Sequence, residues 1–189
     1  MAKTSHYLSV ALTLLVALTD PTKAMVVDGK VIEQSGQGTF VVLNPDNGFS
    51  VGYDTFDDDN LYAFDEDQNI ILIEPVRVDI GPASVIPAGT EVASHYVFFD
   101  SLSGVQMGYV DFDAPILGIA AFEPTMAATE YLANTEVTYI SPELRGLEDG
   151  DQAWIAPLYT QRLWVNWAGS SPGDYIRVFT ERSPNALMM

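Results

Sequence analysis

Seven acidic side chains crowd into residues 54–67: Asp54, Asp57, Asp58, Asp59, Asp65, Glu66 and Asp67, with no basic residue among them. Like charges packed this closely repel one another. Ca2+ would relieve that repulsion, since it is a hard ion that takes about six to eight oxygen ligands. The candidate ligands are Asp54, Asp57, Asp58, Asp59, Asp65 and Asp67. The spacing is not that of an EF-hand. Counting from Asp57, Tyr62 stands at the glycine position and Gln68 at the closing glutamate; counting from Asp54, these are Asp59 and Asp65. Leu61, Tyr62 and Phe64 lie between the two acid clusters, and their burial would pin both clusters. The competing expectation is a solvated acidic edge.

Other residue types admit other chemistry. His95 is the single histidine after residue 24. A general base and a satisfied structural histidine are its two readings. No H-E-x-x-H motif occurs, and there is no cysteine, which excludes thiol catalysis and thiolate metal sites. Asp111 and Asp113 in "YVDFDAP" are the best-spaced acid pair for glycoside hydrolysis, which needs two carboxyls at a set separation. Trp154, Tyr159 and Trp164 form the candidate carbohydrate-binding set, because an exposed aromatic ring packs against the apolar face of a sugar.

These residues must be positioned by strands. Apolar runs alternate with turn formers, and helical periodicity is nearly absent. The strands expected are "GTFVVL", "FSVGY", "NIILI", "VRVDI", "EVASHYVFFD", "VQMGYVDF", "APILGIAAF", "VTYI", "QAWIA", "RLWVNW" and "DYIRVFT". "NPDNG" between the first two favours a hairpin. Pro75 is expected to break the third from the fourth. Alternation puts His95 with Val97 and Phe99 on one face, opposite Ser94, Tyr96 and Phe98. It likewise puts Leu163, Val165 and Trp167 in the core and leaves Trp164 outside. "PTMAATEYLANT" predicts one short helix, Thr125 to Asn134, with Thr125 as N-cap. The expected fold is all-β: a single antiparallel β-sandwich, jelly-roll-like, with that helix.

The N-terminus reads as a secretory signal. Lys3 and His6 precede an apolar run from Tyr7 to Thr19, and Thr22 and Ala24 suit a signal peptidase. The run is shorter than the roughly 18 apolar residues of a membrane span. An uncleaved anchor or a buried helix is the alternative. Cleavage after Ala24 leaves residues 25–189 as one domain. It removes Lys3, Lys23 and Asp20, so six basic residues face 25 acidic ones, a net charge of −19. Such a surface repels nucleic acid and anionic lipid.

"LYAFDEDQNI", "SHYVFFD", "GLEDGD" and "SSPGDYIRV" resemble segments of a group of uncharacterised secreted bacterial proteins, many of which end in a PEP-CTERM-type sorting tail. The resemblance runs from about Leu61 to Val178. It implies an exported β-rich domain of the cell surface or extracellular matrix, and brings no catalytic residues. The chain stops at "ERSPNALMM" without such a tail, so release to the medium is expected over attachment by that route. In "SSPGDYIRV", Pro172-Gly173 fits a type II turn, and Arg145 and Arg177 are expected to bond carboxylates or turn carbonyls.

The function expected is that of an exported acidic, non-catalytic domain, Ca2+-stabilised, secreted by a bacterium, with an extracellular polysaccharide or surface protein as partner. A carbohydrate-binding module is the alternative, and a glycan-active enzyme the third.

Overall fold

"EVASHYVFF" is apolar on both of its alternating faces, and it forms the strand around which the other elements assemble. The computed structural model describes residues 24–52 and 55–183. The expected leader lies outside that range except for Ala24, and Asp54 lies outside it too.

The strands are β1 Val26–Gln34, β2 Phe40–Val42, β3 Phe49–Val51, β4 Leu61–Asp65, β5 Ile70–Ile71, β6 Val76–Arg77 and β7 Val85–Ile86; then β8 Glu91–Phe99, β9 Gly104–Phe112, β10 Ile116–Ala120, β11 Val137–Tyr139, β12 Gln152–Ile155, β13 Arg162–Gly169 and β14 Asp174–Glu181. Among the described residues one α-helix, α1 Glu123–Ala128, lies between β10 and β11. The chain is all-β in class, and most strand pairs are antiparallel.

Two sheets dominate. The first has the order β1-β9-β13-β12, and the second β10-β14-β8-β4-β2, with β5 also on β8. Their facing side chains share one core. Val110, Phe112, Leu163, Val165 and Trp167 come from the first sheet; Leu61, Ala63, Val97, Phe99, Ile176 and Val178 come from the second. The opposite face of the second sheet is also covered. Tyr62, Phe64, Tyr96, Phe98, Tyr175 and Phe179 pack under Val51, Met126, Leu132, Val137 and Ile140. Burial on both faces is why β8 carries apolar residues on both sides instead of a strict apolar–polar alternation, with Ser94 and His95 buried among them.

A buried ion pair ties this outer layer to the sheet. Arg177 and Glu66 both have 0% exposed side chains, and the guanidinium donates to the carboxylate at 2.6 and 2.9 Å. Glu66 also accepts from Ser94 Oγ at 2.7 Å and Tyr139 Oη at 2.8 Å, so all its donors are protein groups. Burial works against the Arg177 charge, but the Glu66 carboxylate outweighs it and holds the guanidinium protonated. Arg145 donates to the Ile140 carbonyl and pairs with Glu130, so both arginines bond as expected.

Three expectations need correction. The "NPDNG" segment closes no hairpin. Pro45–Asn47 is a 3-10 turn capped by the Asn44 side chain, and β2 and β3 each take a distant parallel partner, β4 and β11. The helix starts and ends earlier than expected, at Glu123–Ala128, with a 3-10 turn at Glu130–Leu132. Its N-cap residue is Phe122, without a side-chain cap; just ahead of the helix, one carboxylate oxygen of Asp79 accepts from Ala121 N at 2.7 Å and Phe122 N at 3.0 Å and also holds the Thr125 hydroxyl. Thr125 is therefore inside the helix. Finally, Ser171–Pro172 is a cis peptide, although Gly173 has the positive φ, 96°, expected of it. Pro75 does break its strand, since β5 pairs with β8 whereas β6 pairs with β7.

Candidate functional site

The outward face of the first sheet carries an aromatic row. On β13, Leu163, Val165 and Trp167 turn inward and are buried, which leaves Arg162, Trp164 and Asn166 outside. Strand register then aligns four residues across the sheet. Lys30 stands opposite Tyr109, Tyr109 opposite Trp164, and Trp164 opposite Trp154. The two indoles are parallel to within 9°, with centroids 6.1 Å apart. Tyr109 meets Trp164 edge-on at 5.3 Å.

Arg162 organises the end of this row. Its guanidinium lies 3.7 Å from the Tyr109 ring centroid and 5.2 Å from that of Tyr159, which stands on the loop between β12 and β13 and is 46% exposed. It is held there by two hydrogen bonds to Asp111, of 2.7 and 2.6 Å. These bonds raise the Arg162 pKa, so the charge is permanent but locally neutralised. All three predicted carbohydrate-binding residues thus share one surface, and Tyr109 and Arg162 join them. Both were legible as outward positions: Tyr109 alternates with the buried Val110, and Arg162 precedes Trp164 by two.

His95 sits in a relay of donor and acceptor groups. Its Nδ1 lies 2.8 Å from Asp65 Oδ1, and its Nε2 lies 3.0 Å from Thr180 Oγ1. Hydroxyl, imidazole and carboxylate in this order are the parts of a nucleophilic triad. However, His95 and Thr180 are both 0% exposed, and the Phe112 ring packs 4.7 Å from the imidazole. In this conformation no substrate reaches the hydroxyl. The relay is a tie between β4, β8 and β14, extended to β1 because Asp65 also accepts Val26 N at 3.0 Å.

The acidic loop divides around β4. Leu61 and Phe64 are both fully buried, but on opposite faces of the strand, so they anchor its two ends separately. Asp57, Asp58 and Asp59 precede β4, whereas Asp65 ends it and Asp67 follows. Five strand residues at about 3.3 Å each hold the two clusters apart. The carboxylates already have partners. Asp58 accepts from Asn60 N at 2.9 Å and Tyr62 Oη at 2.6 Å; Asp59 accepts from Gln37 N and Ser101 Oγ, each at 3.2 Å. Burial and the Asp58 hydrogen bond push the Tyr62 phenol up to about 12. Asp57 is exposed, with a positive φ of 49°, and Asp67 is exposed as well. Among the described residues, no three His, Asp or Glu side chains converge as a metal cage.

Asp111 and Asp113 do not form a facing pair. Asp111 is engaged by Arg162. Asp113 lies beyond the end of β9, where it accepts from Met25 N at 2.9 Å and Ser183 Oγ at 2.6 Å.

A different acid pair was not legible in the sequence. Asp174 is 1% exposed, and one of its oxygens has no hydrogen-bond partner. Burial, and then the neighbouring Asp151 carboxylate, push its carboxyl up to about 9. Asp151 is fixed in turn by Ala168 N at 2.8 Å and Glu148 N at 3.2 Å. Their separation of 23 positions gives no local signal.

No family model matches the chain, and neither a curated protein nor a solved structure matches it.

Proposed function

We propose that this chain is an exported, non-catalytic domain of the cell surface, extracellular matrix or medium, and that it binds a neutral polysaccharide on the outer face of its first sheet. The observation that carries this reading is the convergence of Trp154, Tyr159 and Trp164 with Tyr109 and Arg162 on one face. Sugar rings bury their apolar faces on such rings, and polar groups beside them orient the hydroxyls. Asn166 and Gln152, opposite one another in register, flank the row on one side, and the Arg162–Asp111 pair flanks it on the other. Charge favours a neutral partner: the face is almost balanced in sign within a strongly acidic protein. The two-sheet arrangement is read as a sandwich of jelly-roll-related type. Its support is four short connections that pass between the sheets, from β1 to β2, β8 to β9, β9 to β10 and β13 to β14.

Titration of the intrinsic tryptophan fluorescence with neutral polysaccharides tests the proposal. Saturable quenching that disappears in Trp154→Ala and Trp164→Ala supports it; no response to any member of a broad glycan array refutes it. Bound Ca2+ is the second element of the reading, favoured by the run of Asp57, Asp58 and Asp59. A melting temperature that rises with Ca2+ beyond the effect of matched ionic strength, and falls with EDTA, supports it.

A further inference from the structure

Asp113 holds the residue that export would place first in the chain. Met25 N donates to Asp113 Oδ1 at 2.9 Å, and Asp113 N donates back to the Met25 carbonyl at 3.1 Å. The second oxygen, Oδ2, accepts from Ser183 Oγ at 2.6 Å, and the Asp113 carbonyl accepts from Gln161 Nε2 at 2.9 Å. The carboxylate is thus fixed from just beyond β14, and the Asp113 backbone from the β12–β13 loop. One residue on, Val26 N donates to Asp65 Oδ1 at 3.0 Å. Two carboxylates therefore receive two consecutive backbone nitrogens where β1 begins. A neutral amide draws little from a carboxylate that is partly open to solvent. An α-ammonium, with a full charge and three donors, draws much more.

We infer that the Ala24–Met25 bond is a processing site and that Asp113 is the seat of the α-ammonium group released there. The inference rests on the export reading, through Thr22 and Ala24 at the positions that a signal peptidase recognises. It adds a feature that reading does not contain: a fixed ion pair closing the first strand onto the β9–β10 turn. It also sets the order of events. Ala24 is 0% exposed in the uncut chain, so a peptidase must act before this edge folds.

The test uses the full chain expressed in a bacterium that exports it. The intact mass of the exported protein should correspond to residues 25–189. Export with cleavage at another bond overturns the inference and leaves the export reading standing; an uncut chain retained in the cytoplasm overturns both. The seat is then measured by urea unfolding of the chain from Met25, and of the same chain preceded by Gly-Ser, each with Asp113 intact or with the substitution Asp113→Asn. The extension should lower the folding constant about two- to fivefold when Asp113 is present, the scale of a partly exposed ion pair. It should change little in the Asp113→Asn background. An equal effect in both backgrounds overturns the seat. If Asp113→Asn does not fold, the extension on the unaltered chain decides alone, and no loss overturns it.

Discussion

Replacing Asp174 with Asn should stabilise the protein, and by more as the pH rises. Asp174 is buried beside Asp151, and its carboxyl ionises near 9 in the fold against 3.8 for an ordinary aspartate. A pKa raised by folding means that the neutral form is favoured in the fold. The group's contribution is therefore fully present below the unfolded value and is lost as the pH climbs from 3.8 towards 9. Each pH step across that window costs the fold up to about 1.4 kcal/mol. From pH 5 to pH 8 this reaches about 4 kcal/mol, and about half that if Asp151 takes up part of the proton. Asn is neutral at every pH and keeps a donor for the Asp151 carboxylate. Urea unfolding of both proteins at pH 5, 6.5 and 8 gives the measurement. The gap in favour of Asp174→Asn should widen by about 2–4 kcal/mol across that range. A gap that stays flat, or an Asn variant less stable at pH 8, would refute the assignment of a neutral buried carboxyl.

Other substitutions separate architecture from binding. Glu66→Gln removes the close ionic partner of the buried Arg177 and leaves it only Glu130, 3.7 Å away; it should cost up to about 3–5 kcal/mol in chemical denaturation. Thr180→Val keeps shape but removes the partner of His95 Nε2; the loss should be about 1–3 kcal/mol, with polysaccharide binding unchanged by calorimetry. Trp164→Ala should weaken polysaccharide binding at least about tenfold, roughly 1.4 kcal/mol, while the circular dichroism spectrum stays that of the parent.

The long strands were legible because their patterns are local. In "RLWVNW" the alternation of Leu163, Val165 and Trp167 with Trp164 and Asn166 is visible without any partner, and the same rule places His95 with Val97 and Phe99. The aromatic face can therefore be anticipated from Trp154, Tyr159 and Trp164. What stays hidden depends on contacts between distant residues. Asn44–Gly48 looks like a hairpin because nothing near it announces that β2 will align with β4 and β3 with β11. The backbone leading into the helix is held by Asp79, more than 40 positions away. Asp65 reaches His95 across 30 positions, and His95 reaches Thr180 across 85. The segment "LYAF" reads as a pin that would hold both acid clusters in place. It pins them apart, because a strand sends Leu61 and Phe64 to opposite faces.

The placement of the few basic residues has a kinetic consequence. Arg145 and Arg177 are buried in pairs, and Arg162 is neutralised by Asp111. The acidic exterior is therefore left with few opposing charges, and the aromatic face is a quiet window in a repulsive shell. A neutral polymer reaching that window is neither drawn in nor pushed away by the field. Its association rate should sit near the unsteered value of about 10⁵–10⁶ M⁻¹s⁻¹ and barely respond to salt, whereas a polyanion of the same length would be slowed most in dilute buffer.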